Sequence, residues 1–102
     1  MKQSLIRYKT KPERTDDNER LVKDVFEELH AKSPKGVRYM ALKLGDGTFI
    51  HLVSDETRDG SNPIPALDAF RAFQNGIRER CIEPPQSGDV TVVGNYRMLD
   101  ER

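Results

Sequence analysis

Val37-Arg38-Tyr39-Met40-Ala41-Leu42-Lys43-Leu44, then Gly45-Asp46-Gly47, then Thr48-Phe49-Ile50-His51-Leu52-Val53-Ser54 is the stretch whose reading decides the fold. Two apolar runs of strand length joined by a three-residue, glycine-bearing loop form a hairpin signal. With Leu44 opposite Thr48, the side chains separate into two sets. Met40, Leu42, Ile50 and Leu52 share one face, and Tyr39, Ala41, Phe49, His51 and Val53 share the other. The first set is purely aliphatic and thioether and suits packing beneath helices. The second, still apolar, carries a phenol and an imidazole and is expected to be the face the helices leave open.

Working outward, Leu5 to Thr10 reads as a strand that Pro12 stops. Asp16 and Glu19 have capping-box spacing, and Leu21, Val22, Val25, Phe26 and Leu29 recur at helical intervals behind them. Arg20–Asp24 and Lys23–Glu27 are spaced as i,i+4 ion pairs on the wet side. Ser33-Pro34 ends that helix. After a polar loop over Asp55–Ile64, Pro65 suits the first turn of a second helix, with Ala66, Phe70, Phe73 and Ile77 in one stripe. That helix fades near Cys81, since Glu83-Pro84-Pro85 cannot continue it. Val90, Val92, Val93 and Tyr96 place the last strand over Asp89–Leu99. The order βαββαβ is the ferredoxin-like split βαβ arrangement, an α+β fold with a four-stranded antiparallel sheet.

At 102 residues the chain is one domain, 1–102, with 17 basic residues balanced by 17 acidic ones. Zero net charge argues against a nucleic-acid or membrane partner. The single cysteine, Cys81, excludes an internal disulfide framework. No window reaches the length of a membrane span or a signal segment, so a cytoplasmic location is expected. An apolar sheet face left over after two helices are placed predicts a homodimer through the face bearing Tyr39, Phe49 and Val53.

The chain resembles the antibiotic-biosynthesis-monooxygenase-like proteins of the dimeric α+β barrel superfamily. The resemblance rests on Arg7-Tyr8-Lys9-Thr10-Lys11-Pro12-Glu13, Pro34-Lys35-Gly36-Val37-Arg38-Tyr39, Phe70-Arg71-Ala72-Phe73 and Glu83-Pro84-Pro85, and it spans about Leu5 to Tyr96. It implies two sheets facing each other in a dimer and a small-molecule cavity inside the barrel. Haem-degrading relatives rely on a strand-one asparagine, a helix histidine and a tryptophan. Here the first asparagine is Asn18, Ala69 precedes Phe70 in a helix without histidine, and tryptophan is absent. Haem chemistry is not expected, and no cofactor is.

The candidate base is His51, whose imidazole could titrate near neutral pH; its structural alternative is a histidine bonded to backbone or phenol. Tyr39 and Phe49 on the same face would bind substrate, although Tyr39 equally serves as an interface filler. Arg7 at the edge could hold an anionic oxygen or pair with a carboxylate of strand four or of a partner. Tyr8 and Tyr96 are expected to flank the same volume. Asp55 to Asn62 looks like a calcium loop, with Gly60 at position six, but position twelve is Ala66, so no metal is expected. His30 and His51 lack metal-ligand spacing, and Cys81 is expected to be inert. Two functions stay open. One is a cofactor-free monooxygenase acting on a small aromatic or enolisable compound, whose own anion reacts with oxygen. The other is a non-catalytic dimer that binds a small molecule or serves as a structural partner.

Overall fold

The computed structural model describes residues 2–57 and 59–98. Strand β1 (Lys2–Thr10) ends at Lys11-Pro12, where a single 3-10 turn over Pro12–Arg14 leads into helix α1 (Thr15–Lys32). Because that turn feeds the helix directly, Arg14 is its N-cap and no side chain caps it. The capping box expected at Asp16 and Glu19 does not form. Asp16 and Asp17 lie instead in the first turn, where the helix dipole favours them. Glu19 pairs with Lys23 and Lys43, and Arg20 reaches back to Asp17 rather than forward to Asp24. Ser33 in the left-handed region closes the helix through its N–H to Leu29 O, immediately before Pro34.

Strands β2 (Val37–Lys43) and β3 (Thr48–Asp55) form the hairpin in the expected register, with Tyr39 opposite Val53, Ala41 opposite His51 and Leu42 opposite Ile50. After a second 3-10 turn, Ile64–Ala66, the expected single helix appears as two pieces, α2 (Asp68–Gln74) and α3 (Ile77–Arg80). Gly76, at φ +78°, breaks them apart. The last strand is β4 (Cys81–Asp89), not Asp89–Leu99. Residues 90–98 carry no strand, Val92, Val93, Tyr96 and Met98 among them are exposed, and Leu99 lies outside the described residues. Pro84 and Pro85 are compatible with β4 because it is an edge strand and its ladder to β1 is irregular there. The sheet order β2-β3-β1-β4 with antiparallel neighbours is the ferredoxin-like topology.

Both helical segments cover one face of this sheet, and it is the opposite face from that expected. Tyr8, Phe49 and His51 form the buried floor, with Val22, Val25, Leu67 and Phe73 above them. Phe26 lies on Tyr39, ring centroids 4.8 Å apart, and Phe73 on His51 at 5.4 Å. Met40, Leu42, Ile50 and Leu52, together with Leu5, therefore face away from the helices. The aromatic set can be buried because its polar atoms are paired: His51 bonds to Tyr8 and Tyr39 within the sheet, and helix α1 brings Asn18 to Tyr8. The flat aliphatic set needs none and is left on the outside. Most of the expected stripes hold: Leu21, Val25, Phe26 and Leu29 from α1 and Phe70, Phe73 and Ile77 from the second segment join the core, whereas Ala66 lies exposed in the 3-10 turn before α2.

Candidate functional site

The break at Gly76 frees carbonyls at the end of α2, and Arg80 folds back onto them. Its guanidinium donates Nη1 to Asn75 O at 3.1 Å and Nη2 to Phe73 O, and lies 5.6 Å from the Phe73 ring centroid. A cation at a helix C-terminus also complements the helix dipole. Arg80 is buried, 2% exposed, and makes no ion pair among the described residues; burial lowers its pKa. Its third donor, Nε, reaches Asn18 Oδ1 of α1 at 3.0 Å. Asn18 Nδ2 then donates to Tyr8 Oη of β1 at 2.8 Å. Tyr8 Oη lies 2.9 Å from His51 Nε2, and His51 Nδ1 lies 2.6 Å from Tyr39 Oη. Five side chains from five elements thus form one hydrogen-bonded chain through the core. Each oxygen and nitrogen along it has at least one partner, as burial demands.

Burial sets the electrostatics. Desolvation lowers the His51 pKa from 6.5 to about 4, so the ring is neutral at physiological pH. Desolvation raises both Tyr8 and Tyr39 above the usual phenol range, with Asn18 acting in the opposite sense on Tyr8. Burial likewise raises the Cys81 thiol, against a smaller pull from Arg80.

Beside this chain, between sheet and helices, is a cavity of about 340 Å³. Ile6, Tyr8, Tyr39, His51 and Val53 of the sheet form its floor, Phe70, Phe73 and Ile77 its roof, and Ile64, Pro65 and Pro85 its rim. That size and apolar lining suit a small organic molecule. Tyr39 also walls a shallower hollow with Phe26, Leu29 and Val37.

Of the residues singled out in the sequence, His51 and Tyr39 come together at this cavity, but under the helices and not on the open face of the sheet. Both nitrogens of His51 are engaged and its pKa is low, so it is not the free base that titrates near neutrality. Phe49 is packed behind Tyr8, stacked at 5.4 Å, and does not line the cavity. Arg7 is on the other face of the sheet, half-exposed and paired with Glu83 of β4 at 3.0 Å. The fully exposed Tyr96 and the buried Tyr8 do not flank one volume. In the Asp55–Asn62 loop, Asp55 and Asp59 accept hydrogen bonds from Thr57 N and Ser61 N, which makes them turn-forming residues. The sequence reading missed Asn18 and Arg80. The available signal was a polar residue at a stripe position: Asn18 precedes Val22 and Val25 by four and seven, and Arg80 follows Ile77 and Phe73 by three and seven.

The fold matches solved structures along nearly its whole length. A "Putative antibiotic biosynthesis monooxygenase" from Bacteroides thetaiotaomicron superposes with a TM-score of 0.75 at 18% identity, covering 95% of this chain and 94% of that one. Another from Caulobacter crescentus gives 0.72 at 17% identity, covering 91% and 90%. The fold is that of the antibiotic-biosynthesis-monooxygenase-like proteins. A protein of unknown function from Nitrosomonas europaea shares it too, at 0.68 and 18% identity over 93% and 92% of the two chains. At such identities the likeness concerns architecture, and activity has to be argued from the site. No protein-family profile and no curated protein sequence matches the chain.

Proposed function

We propose that this chain is a cofactor-independent monooxygenase that binds a small aromatic or enolisable compound between sheet and helices. The observation that carries the reading is an aromatic-walled cavity of about 340 Å³ with a phenol–imidazole–phenol array in its floor. Phe70 and Phe73 stack on a planar substrate, the mostly apolar lining shelters its reactive anion, and the array orients its oxygen. The chemistry balances without a resident cofactor. A phenol and one O2 give one quinone and one water, and the ring supplies all the electrons. An oxygen electrode with a panel of phenols and hydroquinones tests this. Oxygen uptake matched by quinone formation, and lost in Tyr39→Phe, is the expected result. Saturable binding with no oxygen uptake overturns it in favour of a non-catalytic binding protein. The low-pKa, doubly bonded His51 favours that second reading, because it offers no free base at neutral pH.

The same reading has the chain act as a cytoplasmic homodimer. Its support is the aliphatic set Leu5, Met40, Leu42, Ile50 and Leu52 on the sheet face away from the helices, with Leu42 45% exposed. A second copy of that face matches it in chemistry and shape, and two such sheets pack face to face about their twist. No helix among the described residues is long and apolar enough to cross a membrane.

A further inference from the structure

A guanidinium donates hydrogen bonds and accepts none, so the buried chain that begins at Arg80 has a fixed sense. Arg80 Nε–H donates to Asn18 Oδ1, which turns the Asn18 amide so that Nδ2 donates to Tyr8 Oη. Tyr8 has a single hydroxyl hydrogen, and its oxygen already accepts from Asn18. That hydrogen goes to the remaining neighbour, His51 Nε2. An accepting Nε2 leaves the one proton of the neutral ring on Nδ1, and Nδ1–H donates to Tyr39 Oη. The hydroxyl hydrogen of Tyr39 is left over, with no protein partner among the described residues, at the edge of the cavity that Tyr39 and His51 both line.

We propose that Tyr39 presents its O–H to the cavity as an obligate donor, so that the site selects ligands with a carbonyl, enolate or phenolate oxygen over ligands that offer a donor. Asn18 and Arg80 are positioning residues that set this sense from the far end of the chain. Arg80 forms no ion pair among the described residues, and as a donor-only group it fixes the sense of each link in turn. The proposal rests on the cavity being a small-molecule site, and its test separates the two.

Four probes of similar size serve: acetophenone and 4-nitrophenolate as acceptors, aniline as a donor and toluene as neither. Binding of each is measured by calorimetry, and the His51 tautomer is read from nitrogen-15 spectra of histidine-labelled protein. Expected are an Nδ1–H tautomer and affinities for both acceptors about tenfold above those for toluene and aniline, a factor typical of one well-placed hydrogen bond. Tyr39→Phe removes that advantage and leaves toluene binding in place. Asn18→Asp keeps the shape and still accepts from Arg80, but its carboxylate cannot donate to Tyr8. The Tyr8 hydrogen then turns to that carboxylate, the ring becomes Nε2–H, and Tyr39 donates to Nδ1, so its oxygen faces the cavity as an acceptor only. This variant is expected to show the switched tautomer and to prefer aniline over acetophenone. An Nε2–H tautomer in the unmodified protein overturns the proposal, as does toluene binding with no advantage for acceptors. If all four probes fail to bind, the cavity reading fails and the ligand preference falls with it. Should Asn18→Asp not fold, the wild-type tautomer and Tyr39→Phe decide the matter.

Discussion

Burial holds the His51 imidazole neutral down to about pH 4, whereas in the unfolded chain it titrates near 6.5. Above 6.5 the ring is neutral in both states and contributes no pH dependence. As pH falls below 6.5 the unfolded chain takes up a proton that the folded protein refuses, so stability falls until the folded ring titrates near 4. At about 1.4 kcal/mol per unit the window is worth roughly 3 kcal/mol. Urea unfolding of the wild type and His51→Gln across this range tests it: the wild-type curve is expected to be steeper by about one proton's worth. Parallel curves would place the ring in water. Phe73 is the second residue on which the site leans. Buried to 5% exposure, its ring meets those of Tyr8, His51 and Phe70. Phe73→Ala is expected to cost roughly 3–5 kcal/mol in the same unfolding measurement. A loss below about 1 kcal/mol would mean the ring is not part of the core.

The second helical segment shows how an element's interruption builds a site. A continuous helix would bond the carbonyls of Phe73 and Asn75 internally and leave the Arg80 guanidinium without them. Gly76 stops it at φ +78°, and Arg80 satisfies those carbonyls from inside the core. A Cβ added at Gly76 meets nothing closer than 3.6 Å, so the cost of Gly76→Ala is one of backbone conformation, roughly 1–2 kcal/mol. Thermal unfolding checks it, and an unchanged midpoint would contradict the left-handed geometry. The apolar stripe of this segment was legible in the sequence; the break was not. Gly76 inside a helical pattern costs little enough that periodicity alone does not distinguish tolerance from a stop. Strand β4 was missed for a related reason. Two adjacent prolines argue against a strand, but an edge position with an irregular ladder removes the objection, and edge position is a property of the assembled sheet.

For the molecule as a whole, the orientation of the sheet decides both interface and site. With the aromatic face under the helices, the outer face carries Leu5, Met40, Leu42, Ile50 and Leu52 beside the Arg7–Glu83 pair, and it is the aliphatic set that a second copy is expected to cover. Sedimentation at micromolar concentration is expected to give twice the 11.7 kDa of one chain. Ile50→Lys is expected to yield a folded species of one chain, because a charge has been set in the centre of the face. A wild-type monomer would overturn the arrangement, and a dimer indifferent to Ile50→Lys would move the interface elsewhere.

Spacing along the chain by itself determined the hairpin register and the apolar stripes of the helices, and hence the βαββα part of the order, because each depends on residues near one another in sequence; the place of the last strand it did not determine. It also brought out His51 and Tyr39 as a pair, since the register of two adjacent strands puts them on one face. Which face lies under the helices was decided only in three dimensions. Counted alone, the phenol and imidazole made their face the poorer one to bury. Tyr8 and Tyr39 satisfy the imidazole, Asn18, 33 residues before His51, satisfies Tyr8, and Arg80, 29 residues after it, satisfies Asn18, which reverses the balance. The chain from Arg80 to Tyr39 is likewise a tertiary product: burial of a polar group depends on its partners, and those partners meet only when the helices dock.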